Sequence, residues 1–324
     1  MHVASFPVGI RTLFADLPAE VRAWVEDQLG GSVIAVRDTT GGFSPGVTAV
    51  VRTTGRSGFL KAVGNGTNDK ALTLSQQERD VHRRLPDLEG LLRPFAETDL
   101  QIAGEDWSAM LFPALEGAPP THPWRGRDVD RVLTELQRTT ARLTPSPWPV
   151  DEVSDGLRSF LSRWSVVADT PDDPWHRDPW VAEHLDALLT AETDLMAALP
   201  GDTLCHTDLR ADNIMLTEDR VWFVDWAHAR TAAAWLDPLM LCCDLIASGA
   251  DRADGGEVDL PRLLAEHPCV AAASPRIRMA MIAAMTGAMH VLAQRPAVPG
   301  LPTIRGWQRL TADRLLTFLK RQTA

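Results

Sequence analysis

Residues 204–226 read LCHTDLRADNIMLTEDRVWFVDW, and the rest of the chain is best read outward from them. His206, Asp208 and Asn213 stand in the order H-x-D-x-x-x-x-N, and Asp225 comes near the end of the stretch. IMLT (214–217) and VWFVDW (221–226) are short strand-like runs on either side of a tight polar turn, which predicts a hairpin. A loop followed by a hairpin draws Asp208 and Asn213 together with Asp225, which this reading places on the second strand.

Upstream, the pattern is β-rich. A helix is expected over 18–29, with Pro18 at its first position and Gly30-Gly31 ending it. SVIAVRD (32–38), VTAVVRTT (47–54) and GFLKAVG (58–64) then predict a three-stranded meander, its first turn being TTGGFSPG. A helix over about 72–85 and short strands near LLRPFAE and WSAMLFPAL complete a small N-terminal lobe, residues 1–112. Beyond Pro113 helices dominate. Val129, Val132, Leu133, Leu136, Thr140 and Leu143 recur at helical spacing, as do Val181, Leu185, Leu188, Leu189, Met196 and Leu199. TPSPWPVDE (144–152) is a proline-rich break, and further helices are expected near 236–248, 276–294 and 307–321. The expectation is an α+β chain with a small β-rich lobe and a larger, mainly helical one over 113–324.

Phosphoryl transfer needs a carboxylate near the attacking hydroxyl and hard oxygen ligands for Mg²⁺. Asp208, with Asn213 and Asp225, supplies both kinds of group. An independent pair lies in the small lobe. Leu74, Glu78, Val81 and Leu85 fall on one helical face, and a carboxylate on an apolar stripe is costly unless paired. Of three lysines in the chain (Lys61, Lys70, Lys320), only Lys61 falls on an expected strand. A Lys61–Glu78 pair between strand and helix is what holding the α- and β-phosphates requires. The loop Gly41-Gly42-Phe43-Ser44-Pro45-Gly46 would bring backbone N–H groups close to phosphate, although a glycine-rich hairpin turn alone is a weak signal.

These segments resemble the aminoglycoside phosphotransferase family within the protein-kinase-like superfamily. The resemblance covers about residues 30–320 and implies a two-lobe protein-kinase-like fold with ATP or GTP as donor. It implies Asp208 as the group that orients or deprotonates the acceptor hydroxyl, and Asn213 and Asp225 as Mg²⁺ ligands. His206 would brace the loop, and Arg210 would stand near the γ-phosphate. Gly42, Phe43 and Ser44 would contact phosphate with Lys61 and Glu78. LFPALEG (111–117) would be the hinge facing the purine. Pro113 has no N–H there, so a donor must come from a neighbour such as Leu115. Asp237 resembles a family position that supports the catalytic loop, but it reads equally as a plain cap of the helix that follows. The short Asp225-to-Asp237 interval and the lack of A-P-E argue against a protein kinase.

Charge narrows the partners. The 324 residues carry 32 Lys and Arg against 43 Asp and Glu, a net −11, which argues against nucleic acid as a ligand. Residues 151–194 hold 11 acidic and 3 basic side chains, whereas 1–144 hold 18 and 16. A cationic, amine-bearing acceptor is therefore expected, with Glu152, Asp155, Asp172, Asp173, Asp251, Asp254, Glu257 and Asp259 as group candidates; a solvated acidic face is the alternative. The longest nearly apolar run, Met279 to Ala293, is shorter than the roughly 20 residues a bilayer crossing needs. MHVASFPVGIRTLFADLP has one Arg and no long apolar core, so no signal peptide is expected, and four cysteines without C-x-x-C spacing suit a reduced cytoplasm. A small-molecule O-phosphotransferase is the leading expectation. A metabolic kinase for choline, homoserine or a fructosamine, and a non-catalytic nucleotide-binding module, are its rivals.

Overall fold

The structure, a computed structural model, describes residues 9–39, 45–88, 90–153 and 155–323. The helix α1 (Ala19–Leu29) precedes three strands, β1 (Val33–Asp38), β2 (Val47–Thr53) and β3 (Ser57–Gly64). After α2 (Asp69–Arg84) come β4 (Ala96–Ile102) and β5 (Glu105–Phe112). The five strands form one antiparallel sheet in the order β1-β2-β3-β5-β4. Pro18 proves to be the residue before α1 rather than its first, and Gly30 ends the helix at φ 73°. β4 begins at Ala96, later than LLRPFAE suggested. Pro94 within that run cannot donate to a ladder.

Val47, Ala49, Val51, Leu60, Ala62, Ala109 and Leu111 turn one sheet face onto Val21, Val25 and Leu29 of α1. On α2, Asn68 accepts from the N–H of Ala71 at 2.9 Å and starts the helix. Its buried residues are Ala71, Leu72, Glu78, Arg79, Val81 and His82, so the buried face is more polar than the Leu74–Leu85 stripe implied, with Leu74 only half-buried.

The helical part follows in chain order as α3 (Gly126–Arg142), α4 (Asp155–Leu161), α5 (Trp164–Ala168) and α6 (Pro179–Ala198). Four three-residue strands come next. β6 (Thr203–Cys205) pairs with β9 (Arg230–Ala232), and β7 (Ile214–Leu216) pairs with β8 (Val221–Phe223). Then come α7 (Leu236–Ser248), α8 (Leu260–Glu266), α9 (Pro268–Ala271), α10 (Pro275–Ala293) and α11 (Ile304–Thr323). α10 is buried nearly all round, and Met281, Met285 and Met289 pack into the large core. Among the described residues no helix is long and apolar enough to cross a membrane.

Asp178 joins two of these helices. It accepts from the N–H groups of Trp180 and Val181 at the start of α6 (3.1 and 3.3 Å), and Lys320 of α11 donates to its Oδ2 at 2.5 Å. Burial alone would raise its carboxyl, but Lys320 and the capping N–H groups outweigh burial and hold it below the usual 3.8. A depressed folded-state value means that this stabilisation is present above about pH 3.8 and is lost as pH falls below it. Asp178→Asn keeps the cap and removes the charge. It is expected to cost about 0.5 kcal/mol at pH 7, small because Lys320 is partly exposed. Thermal melts at pH 7 and at successively lower pH check this: the deficit should shrink once pH falls below about 3.8, and a deficit that is constant with pH rejects it.

Candidate active site

The start of the loop 206–213 is held from behind by one carboxylate. Asp237, in the first turn of α7, accepts from the backbone N–H of His206 at Oδ2 (2.7 Å) and of Thr207 at Oδ1 (2.9 Å). α7 has no side-chain cap hydrogen bond. Thr207 sits at φ 61°, a left-handed conformation costly for a β-branched residue. Its Oγ1 donates to the carbonyl of His228 at 2.6 Å, so both ends of the residue are tied down. Burial pushes the Asp237 carboxyl up, against the favourable field of His206 and the two N–H groups.

His206 fixes the next link. Its Nε2 lies 2.8 Å from the carbonyl of Val224, which must accept. Nδ1 is then the acceptor for the N–H of Asp208, at 3.3 Å. Asn213 Nδ2 donates to the carbonyl of Asp208 (2.8 Å) and to its Oδ2 (3.1 Å), which leaves Oδ1 as the amide atom for a cation. The N–H of Val224 donates to the carbonyl of Asn213 at 3.0 Å, so Asp225 stands beside Asn213. Asp225 is not on the second strand as expected. β8 ends at Phe223, and Asp225 adopts φ 66°, ψ 60° at the turn into a short 3₁₀ helix. That left-handed turn re-aims its carboxylate toward the sheet.

Across the cleft, Lys61 Nζ lies 2.6 Å from Glu78 Oε1 and 3.5 Å from Asp225 Oδ1. Glu78 is buried, and His82 Nε2 lies 3.4 Å from the same oxygen. Burial alone would lower the Lys61 ammonium, but Asp225 and Glu78 outweigh it and raise it above its ordinary value. Burial likewise works to raise Asp225, and Lys61, His206 and His228 together hold it below the ordinary range. Lys61 thus stays cationic and Asp225 anionic. Two adjacent hard oxygens, Asn213 Oδ1 and the Asp225 carboxylate, suit Mg²⁺ with phosphate completing its shell. Among the described residues there is no cluster of three His, Cys, Asp or Glu able to hold a metal alone.

Arg210 points back at the loop rather than standing alone. Its Nη1 is 3.4 Å from Asp208 Oδ1 and its Nε 2.6 Å from Asp212 Oδ1. Burial works against its charge, and Asp208 and Asp212 overcome this and raise it. Leu115 is half-buried beside Met110, Phe112, Trp222 and Val224, and its N–H has no hydrogen-bond partner among the described residues. Pro113 is exposed. Gly42, Phe43 and Ser44 lie outside the described residues. Gly46, the end of their loop, is described: a Cβ there would meet the carbonyl of Ala62 at 2.7 Å.

Two supports escaped the sequence. Asp244 Oδ2 accepts from Trp124 Nε1 (2.9 Å) and from the N–H of Ala211 (3.2 Å), pinning the loop to α7. Its only signal was a carboxylate inside an apolar helix. Asp212 was hidden because its partner is two residues away.

Part of the acidic excess is tied up inside the fold. Asp173 is buried, accepting from Gln294 and close to His290 at 2.8 Å; Asp178 pairs with Lys320, and Asp194 with Arg276. Glu192 accepts from the N–H groups of Arg163 and Trp164. Asp251 and Asp254 pair with Arg321, Glu257 accepts from the N–H of Gly126, and Asp259 caps α8. Asp151, Glu152, Asp155, Asp169, Asp172, Glu183 and Asp186 remain exposed.

Known proteins resemble the chain as a whole. The model of the phosphotransferase enzyme family, APH, matches residues 40–279. Among curated protein sequences none matches the chain. Among solved structures, the choline kinase LicA from Streptococcus pneumoniae is 13% identical, with a TM-score of 0.57 over 94% of this chain and 100% of that one. An aminoglycoside phosphotransferase from Alicyclobacillus acidocaldarius is 15% identical, with a TM-score of 0.54 over 95% and 96%. The amicoumacin kinase hAmiN, solved with AMP-PNP, Ca²⁺ and Ami, is 11% identical, with a TM-score of 0.53 over 92% and 94%. These likenesses show the protein-kinase-like fold, a five-stranded sheet followed by a helical part. The family match over most of the chain shows more: it belongs to the APH phosphotransferase family, as an enzyme that moves phosphate to the hydroxyl of a small molecule.

Proposed function

We propose that the enzyme uses Mg²⁺ to transfer the γ-phosphate of ATP or GTP to a hydroxyl of an amine-bearing small molecule, an aminoglycoside-like antibiotic or another natural product. One observation carries this: the Glu78–Lys61 pair reaches Asp225, which stands beside the Asp208–Asn213 pair. Residues 1–112 would bind the donor and 113–324 the acceptor. Lys61, oriented by Glu78, binds the α- and β-phosphates, and the N–H of Leu115 meets the purine edge. Asn213 Oδ1 and Asp225 hold Mg²⁺, which when bound neutralises phosphate charge. Asp208 accepts the proton of the attacking hydroxyl, and Arg210 neutralises charge beside it. A reducing cytoplasm suits four free, buried cysteines.

The acceptor's charge rests on Asp151 and Glu152. Both are exposed, and their segment runs beside β9: the N–H of Thr231 donates to the carbonyl of Asp151 at 3.1 Å. Replacing both with Lys should raise the acceptor KM about fivefold at low salt, with kcat nearly unchanged and the effect fading at high salt. An unchanged KM rejects a cationic acceptor bound there.

A phosphate-transfer assay with ATP and GTP against aminoglycosides, other amine-bearing antibiotics, choline, homoserine and fructosamines tests the reading. Turnover of one antibiotic class, with matching resistance in cells expressing the chain, supports it. Turnover of a metabolite alone selects the metabolic kinase. Nucleotide binding without turnover of any acceptor overturns it.

A further inference from the structure

Residues 10–17, before α1, cross between the sheet and the helical part. The N–H of Ile10 donates to the carbonyl of Gly300, in the loop between α10 and α11, at 2.7 Å. The N–H of Thr12 donates to the carbonyl of Pro45 at 3.2 Å, and the N–H of Phe14 to Asp38 Oδ1 at 2.9 Å. Phe14 and Leu17 are buried against the sheet and α1, which anchors the strap on one side.

Between these ties sits Arg11. Its Nη1 donates to Thr48 Oγ1 at 2.5 Å. Thr48 is itself tied to Thr39, whose N–H donates to the carbonyl of Thr48 at 2.8 Å. Thr39 and Pro45 bracket the glycine-rich stretch, so Arg11 lies at the base of that loop. Its Nε is shut off from solvent. Burial works against its charge, whereas the fields of Asp225 and Asp212 favour it. A half-buried guanidinium bonded to Thr48, the residue that pairs with Lys61 across β2 and β3, sits where a triphosphate would bring its charge.

We propose that Arg11 is a donor-binding residue: the strap 10–17 carries it into the cleft, where its guanidinium contacts the phosphates of the nucleotide beside Lys61. This rests on the phosphotransferase reading above. It predicts a cation contributed from outside the sheet and the catalytic loop, and one whose contribution grows with the number of phosphates.

The test is the affinity of Arg11→Ala for fluorescent ATP and AMP analogues with Mg²⁺ in the full chain. ATP affinity should fall about 10- to 100-fold, as expected for a lost charge-assisted bond, with AMP affinity within about twofold. Arg11→Lys, which keeps the charge but not the fork, should recover part of the loss. Equal losses for ATP and AMP would mean that the strap only supports the fold, and would overturn the proposal. Unchanged or tighter ATP binding would overturn it as well. If the unaltered chain binds neither ATP nor GTP, the phosphotransfer reading fails and this proposal with it.

Discussion

Replacing Asp208 with Asn is expected to slow phosphate transfer by about 10³-fold, while ATP affinity changes by no more than about twofold. The size follows from what is removed. The backbone of residue 208 is set by His206 Nδ1 and Asn213 Nδ2, neither of which needs the side-chain charge. An Asn oxygen can still accept from Asn213 Nδ2, where Asp208 Oδ2 does now at 3.1 Å. The variant therefore keeps the loop and loses only the proton acceptor. Arg210 keeps its 2.6 Å contact to Asp212, so the cation at this end of the cleft stays in place. Lys61, Glu78 and Asp225 are untouched, and donor binding should survive. Steady-state rates with the acceptor identified by the panel, beside nucleotide titrations, separate the two effects. A variant that retains more than about a tenth of its turnover would remove Asp208 from the chemistry.

The parts of this site that could be read from the sequence are those where a residue type conflicts with its surroundings. Glu78 stood out because it interrupts an apolar helical face, and Lys61 because it is a lone lysine on a strand; the structure joins them at 2.6 Å. The buried face of α2 nevertheless carries Arg79 and His82 too, since a helix facing a polar cleft need not be apolar throughout. The long helices and the meander were legible because their periods run over many residues. The β6–β9 ladder was not, because its pairing joins residues 203–205 to 230–232 with no tight turn between them, unlike the β7–β8 hairpin. Asp225 was assigned to a strand because V-D-W continues the apolar run; its left-handed backbone depends on contacts that local sequence does not encode. Arg11 and Asp244 act on partners 30 or more residues away, and no local spacing marks such a pair. The acidic excess over 151–194 is only partly neutralised inside the fold, for a related reason. Composition counts charges, whereas Lys320, Arg276, His290 and Gln294 decide which of them face solvent.

The second large effect is expected at Asp237, which touches neither nucleotide nor acceptor in the proposed mechanism. Asp237→Ala should cost about 2–4 kcal/mol of stability, because it strips the acceptor from two buried N–H groups at once. His206 is 1% exposed and Thr207 is 7% exposed, so water cannot easily replace the carboxylate. Thr207 is also held at φ 61° by this contact and by its bond to His228, and with one tie gone its backbone can relax toward an ordinary conformation. Relaxation there would move Asp208, the next residue, so turnover should fall by about 10²-fold even in the folded fraction. Asp237→Asn should lie between Ala and the native residue. Its oxygen can serve one N–H, while its Nδ2 faces the other donor to donor. Melting temperatures of the three forms, with kcat measured well below the lowest of them, give the two effects separately. If Asp237→Ala melts with the native chain and turns over normally, the loop must be held by Asp244 through the N–H of Ala211, and Asp244→Ala becomes the variant that should fail.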